Sequence, residues 1–271
     1  MIRLSSKTWY QKKVLESPEG PWKNRMEDIL EEFPFYGSPR VTEELRRRGH
    51  TVNEKRIHRL MQRYGFCQKR RKYKPRTTNS HHGLPWYPNR IKDIVPAFPD
   101  QIWAADITYI RLATGSFCYL AGLIDVFTRK IRGWALMGTM SAELILAAWQ
   151  HARKRHPAPV FHHSDRGSQY CAEVYINAVK KDGTAVSMSA QGESTQNPYI
   201  ESFWRSLKVE EVYLKEYETR DDALKNIEHF IEIVYAKKRL HSSLGYQTPE
   251  EFESAWLLTK GRIPVTNLIA A

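Results

Sequence analysis

The chain has 271 residues, 41% of them hydrophobic, which is enough for one large or two modest domains with a proper core. No apolar run reaches about 18 residues and no signal peptide opens the sequence, so no membrane span is indicated, and a cytoplasmic protein is expected from its scattered cysteines. The formal net charge of +12 is carried entirely by the front: residues 1–99 hold 22 Lys and Arg against 10 Asp and Glu, whereas residues 100–271 hold 20 against 20, an asymmetry that points to nucleic acid.

After a short basic segment, Met26, Ile29, Leu30 and Phe33 recur at helical spacing. Ser38-Pro39 is expected to cap a second helix that Gly49 stops, and Asn53 caps a third that Gly65 stops. The pair at 38–65 reads as a helix-turn-helix with Val41, Leu45, Ile57, Leu60 and Met61 as its core. Arg56, Arg59, Gln62 and Arg63 then fall on exposed faces of the second helix of that pair, where a recognition helix needs donors. A solvated helical hairpin is the bland alternative.

The neighbouring QKRRKYKPRTT argues for DNA. Lys69, Arg70, Arg71, Lys72, Lys74 and Arg76 place six bases in eight residues, a density suited to an extended arm along phosphates. Residues 1–76 are therefore expected to form a helical DNA-binding region, and the proline-rich stretch at 77–98 a linker.

Strand-like runs follow at 103–110, 117–124 and 131–137, then a helix from Ser141, a strand at 160–163, a helix near 172–181 and a strand at 185–188. Three strands followed by alternating helix and strand predict an α/β fold with a sheet of mixed direction and flanking helices. Asp106 sits in the middle of the first strand, within WAADITYI, where an unpartnered carboxylate is costly. Asp165 ends the VFHHSD strand before the turn residues Arg166, Gly167 and Ser168. Asn197-Pro198 opens a helix with Glu201 in its first turn, and Ile200, Phe203, Trp204 and Leu207 form its packing face while Glu201, Arg205 and Lys208 lie on another side. The three carboxylates are expected to converge on divalent metal.

WAADITYI, LAGLIDVFTRKIRGWAL, HSDRGSQY, SMSAQG, NPYIESFWRSLK and RLHSSLGYQTPEEF occur here in that order. Together they resemble the integrase-like Asp-Asp-Glu transposases of bacterial insertion sequences, whose core is shared with retroviral integrases. The 35 residues between Asp165 and Glu201, and a Lys seven positions after the Glu, belong to the same pattern. The resemblance implies an RNase H-like five-stranded catalytic core over 99–258, preceded by a small all-α helix-turn-helix domain and followed by a tail at 259–271. It also implies Asp106, Asp165 and Glu201 as the metal-binding triad, and homo-oligomers that bring two DNA ends together. Gln196 stands where the family often has an acid, and Pro198 where a small residue is common.

Phosphodiester cleavage and transfer build negative charge at phosphorus and at the attacking and leaving oxygens. Two Mg2+ ions about 4 Å apart stabilise both oxygens and activate a water or a 3′-hydroxyl, and Mn2+ is an expected substitute. Mg2+ favours oxygen ligands, so Asp106 is expected to bridge two ions while Asp165 and Glu201 each hold one. Lys208 and Arg205 are expected against DNA phosphate, with the element's terminal inverted repeats and target DNA as partners. Two other readings compete: a DNA-binding regulator descended from a transposase but inactive, which leaves the triad unexplained, and a simple RNase H-like nuclease, which leaves the basic front unexplained.

Other residues carry weaker signals. Asp125, at a hairpin turn beside Thr128 and Arg129, reads as a turn or ion-pair acid. His163 falls on the same face as Asp165, and both an accessory role there and plain packing are open. His241 is structural or DNA-facing; Trp103, Trp134 and Trp204 read as core. Cys67, Cys118 and Cys171 are scattered without metal spacing, which suits a reducing compartment. Thr219 and Thr248 are expected to cap the last two helices.

Overall fold

The computed structural model describes residues 20–66, 86–190 and 196–260, which belong to two units divided after Tyr73. The basic arm expected at 69–76 lies outside the described residues. The front unit holds α1 (Gly20–Glu32), α2 (Ser38–Arg47) and α3 (Glu54–Arg63). Asn53 caps α3 by accepting from the Lys55 N–H at 2.8 Å. Gly37, not Ser38, occupies the cap position of α2, because Ser38 already has helical geometry and its carbonyl accepts from the Thr42 hydroxyl. Gly49 and Gly65 take left-handed conformations (φ 85° and 73°), which end α2 and α3 at no steric cost. Met26, Ile29, Val41, Leu45, Ile57, Leu60 and Met61 form the shared core, while Leu30 is only half-buried. The turn between α2 and α3 is tied by the Arg46 guanidinium, which donates to the Val52 carbonyl from Nε and Nη2 at 3.2 and 3.1 Å.

The second unit is built on a five-stranded sheet of β1 (Ile102–Arg111), β2 (Phe117–Asp125), β3 (Ile131–Met137), β4 (Phe161–Ser164) and β5 (Ala185–Met188), in spatial order β3-β2-β1-β4-β5. The first three strands form an antiparallel meander, and β4 and β5 join parallel to β1. Parallel addition requires crossovers; these are α4 (Ala142–Arg153) and α5 (Glu173–Lys181). Alternation along β1 divides the core into two layers. Trp103 and Ala105 face α4 and α5, and Ile102, Ala104 and Ile110 face α6 (Pro198–Glu210) and α7 (Arg220–His229). Gly133 admits α4 closely, since a β-carbon there would stand 2.4 Å from the Ala148 carbonyl oxygen.

Two expectations are corrected. Residues 86–98, assigned to a linker, pack against the core: Ile91 and Ile94 join the α6-facing layer, Phe98 is buried, and the Arg90 N–H donates to Ser187 Oγ at 2.9 Å. Prolines and turn formers signal irregular backbone, not absence of burial. The helix capped by Thr219 is not uniform either; α7 passes into a π-helical stretch at Phe230–Lys238.

The final helix, α8 (Pro249–Lys260), starts from a reciprocal cap in which Thr248 N–H donates to Glu251 Oε2 and Glu251 N–H to Thr248 Oγ1. Buried charge fastens it to the sheet. Arg132 lies 2.9 Å from Asp125, 2.8 Å from Asp100 and 2.6 Å from Glu253 of α8, and Lys130 lies 2.9 Å from Glu253. Asp125 is fully buried and also accepts from the Phe127 and Thr128 N–H groups, as a turn and ion-pair acid should. No described helix is long and apolar enough to cross a membrane. Removing one partner of a buried pair leaves the other charge uncompensated, so Arg132→Met is expected to lower unfolding free energy by about 3–5 kcal/mol, measured by urea denaturation.

Candidate active site

Parallel pairing of β1 with β4 matches Ala104 to His163. Two residues further along each chain come Asp106 and Asp165, and a step of two keeps both on the face that carries Ala104 and α6. Asp165 lies one residue past the end of β4, close enough to Asp106 for the two carboxylates to repel. Burial is the main reason that Asp106 is pushed up to about 7, repulsion from Asp165 the second, and Glu201 adds a smaller push; hydrogen bonds from the Ile107 N–H and Trp204 oppose it. Asp165 is held by its own turn, with Oδ1 accepting from the Gly167 N–H at 2.9 Å. A β-carbon at 167 would stand 3.0 Å from that oxygen, so glycine permits the fold-back.

Helix α6 brings the third acid. Asn197 stands at its cap position, yet its amide does not cap; Nδ2 donates to the Ala105 carbonyl at 2.8 Å. The helix start is thereby fixed beside Asp106. Gln196, where the family often has an acid, accepts from the Ala190 N–H at 2.8 Å and from Asn89 Nδ2 at 2.9 Å, so it joins the end of β5 to the strap at 86–98. Trp204, one turn after Glu201, donates from Nε1 to Asp106 Oδ2 at 3.0 Å. Glu201 itself is exposed; burial raises its pKa and Arg205 opposes the shift.

The structure thus brings Asp106 and Asp165 together and leaves Glu201 at the rim. Among the described residues no three His, Cys, Asp or Glu side chains are grouped closely enough to hold a metal ion. Glu201 is near enough only to add the smallest of the pushes on Asp106. The surroundings fit a hydrated hard cation. The donors are carboxylate oxygens, and Mg2+ keeps several waters. Two buried groups without a partner among the described residues adjoin the acids: the Asn197 Oδ1, and the hydroxyl of Tyr170, whose pKa is raised by burial and then by Asp106.

Lys208 is half-buried with Nζ 4.4 Å from the Tyr109 ring centroid; burial lowers its pKa and Asp106 opposes that. Arg205 is exposed, as are Arg56, Arg59 and Arg63 of α3 in the front unit. His163 proves to be held in packing, with its ring nitrogens 2.9 and 3.1 Å from the Ser187 and Ser189 hydroxyls and its pKa lowered by burial to about 4. His241 is buried against the Tyr235 ring. Cys118 and Cys171 are free, buried thiols. In the sequence, Trp204 reads only as core. A buried indole N–H needs an acceptor, and its place three residues after Glu201 was the available signal.

Models of known families match in the same order as these elements. An HTH-like domain covers residues 22–74, and an integrase core domain covers 96–194 and again 182–249. The simian T-cell lymphotropic virus intasome, in its complex with PP2A regulatory subunit B56 gamma, aligns with a TM-score of 0.50 over 84% of this chain and 74% of its own, at 15% identity, a likeness of fold alone. The fold is that of an RNase H-like integrase core with a helix-turn-helix-like front. Identity is 39% to a 31 kDa protein of insertion element IS600 from Shigella sonnei, covering 82% of each chain. It is 35% to the transposase InsF of insertion sequence IS3A from Escherichia coli, over 91% of this chain and 88% of the relative. The chain belongs to this family of insertion-sequence transposases.

The raised Asp106 has a consequence for the metal-free protein. A carboxyl that binds its proton more tightly when folded contributes most below its unfolded pKa, and that contribution is lost as pH rises through about 7. Asp106→Asn is therefore expected to raise the thermal midpoint in chelator, by an amount that grows from about pH 4 and levels off above pH 7, as followed by circular dichroism.

Proposed function

We propose that the chain is a metal-dependent polynucleotidyl transferase that cuts at the ends of its insertion element and joins the freed 3′-hydroxyl to target DNA. The observation that supports this reading is the proximity of Asp106 and Asp165, close enough to repel, with Glu201 at the rim in the first turn of α6. Asp106, Asp165 and Glu201 would hold Mg2+, with Mn2+ as a substitute. When bound, two such ions supply Lewis-acid stabilisation of the attacking and leaving oxygens. The remaining work falls to the chain. The buried sheet under Asp106 excludes bulk water from one side of the site and strengthens every charge interaction there. Lys208 and Arg205 present positive charge beside the acids for a phosphate of the element's end, and half-burial of Lys208 over Tyr109 limits its freedom.

The front unit is assigned to the terminal inverted repeats. Arg56, Arg59 and Arg63 lie on exposed faces of α3, and the basic sequence from Lys69 to Arg76 adds charge for phosphates. Transposition joins two ends, so a dimer or larger assembly on DNA is inferred, with the bacterial cytoplasm as its place of action.

Asp106→Asn and Glu201→Gln are expected to abolish cleavage and strand transfer of labelled element ends in Mg2+ while leaving end affinity unchanged; undiminished cleavage by both would refute the assignment. Arg59→Ala is expected to weaken end binding and reduce the slope of log affinity against log salt by about one, read from a salt titration of fluorescence anisotropy.

A further inference from the structure

Resting on that reading of the acids, we infer that Trp204 is a positioning residue for Asp106, and that Gly122 is glycine to admit its indole. Asp106 pairs directly with Gly122 across β1 and β2. Side chains of such a pair project on the same face about 5 Å apart, so residue 122 is the position from which β2 would reach the carboxylate. The six-membered ring of Trp204 occupies that space. A β-carbon on Gly122 would stand 2.7 Å from Cη2 and 3.2 Å from Cζ2 of the indole, a separation that forces movement. The ring lies across the glycine and is 5% exposed, with Phe203 packed beside it at 4.9 Å between centroids. From there Nε1 reaches Asp106 Oδ2 at 3.0 Å.

The chemistry of this donor matters as much as its distance. A lysine or arginine in its place would fix the carboxylate too, but its charge would compete with a cation. An indole N–H is neutral; it restrains the carboxylate and leaves its full negative charge for metal. It also reaches Asp106 from the helix that carries Glu201, three residues before it, so one rigid element carries one acid and orients another. Donors of this kind behind a metal ligand typically contribute tenfold to a hundredfold in metal affinity.

Trp204→Phe removes the N–H and keeps an aromatic ring on the packing face while vacating the space over Gly122. The full chain carrying it should require about tenfold to a hundredfold more Mn2+ for half-saturation, measured by loss of the free-Mn2+ electron paramagnetic resonance signal. The Mn2+ concentration for half-maximal strand transfer should rise in parallel, with the rate largely recovered at saturating Mn2+. Gly122→Ala attacks the same contact from β2 and should weaken Mn2+ binding similarly. In the Trp204→Phe background it should cost nothing further, because phenylalanine lacks the atoms that the new methyl would meet.

Unchanged Mn2+ half-saturation in Trp204→Phe, or losses that simply add in the double variant, would overturn the inference. Asp106→Asn separates this from failure of the underlying reading. If Asp106→Asn loses Mn2+ binding while Trp204→Phe retains it, the positioning role alone is wrong; if Asp106→Asn binds Mn2+ like the parent, the metal assignment itself falls.

Discussion

Two carboxylates on adjoining parallel segments repel each other, and the second unit is arranged around keeping them there. In the interior such a pair is unfavourable unless one member holds a proton or a cation intervenes, and burial with repulsion from Asp165 pushes Asp106 up to about 7. The strain is local, and the support is not. Asn197 fastens the α6 start to β1, Trp204 reaches back from α6 to Asp106, and the Gly167 N–H closes the turn on Asp165. Each restraint is a neutral hydrogen-bond donor, so none of them cancels the negative charge that a cation site requires.

Much of this was legible in the sequence because it depends on local patterns. Period-two alternation marked the strands, Asn197-Pro198 marked the start of α6, and the position of Asp165 at a strand tip followed from the turn residues behind it. What stayed hidden depends on partners distant in the chain. Trp204 reads as one more apolar residue on a packing face until β2 is set beneath it. The Asn197 amide looks like a cap, and becomes a tether only once β1 lies within its reach. The strap at 86–98 looks like a linker because Pro88, Asn89, Asp93 and Pro96 punctuate it, and its three apolar anchors find their contacts only in the finished sheet.

The buried ion cluster around Arg132 follows a different logic from the acid pair. There, opposite charges are matched: Asp100, Asp125 and Glu253 gather around one guanidinium, and Lys130 adds a second cation. Asp100 is nevertheless pushed up to about 6, first by burial, with Arg132 working against the shift. Such a network contributes modestly to net stability but penalises any arrangement that leaves a member alone, and in this protein the arrangement it selects has α8 seated against the hairpin of β2 and β3.

That seating sets an order of events during synthesis. Glu253 lies 123 positions after Lys130, so at a ribosomal pace of roughly 5–20 residues per second the hairpin waits on the order of ten seconds for its counter-charges. The three-helix front has its whole core in hand long before then. A nascent chain thus completes the core of its front unit while the sheet of the second unit still waits for the helix that neutralises its buried cations.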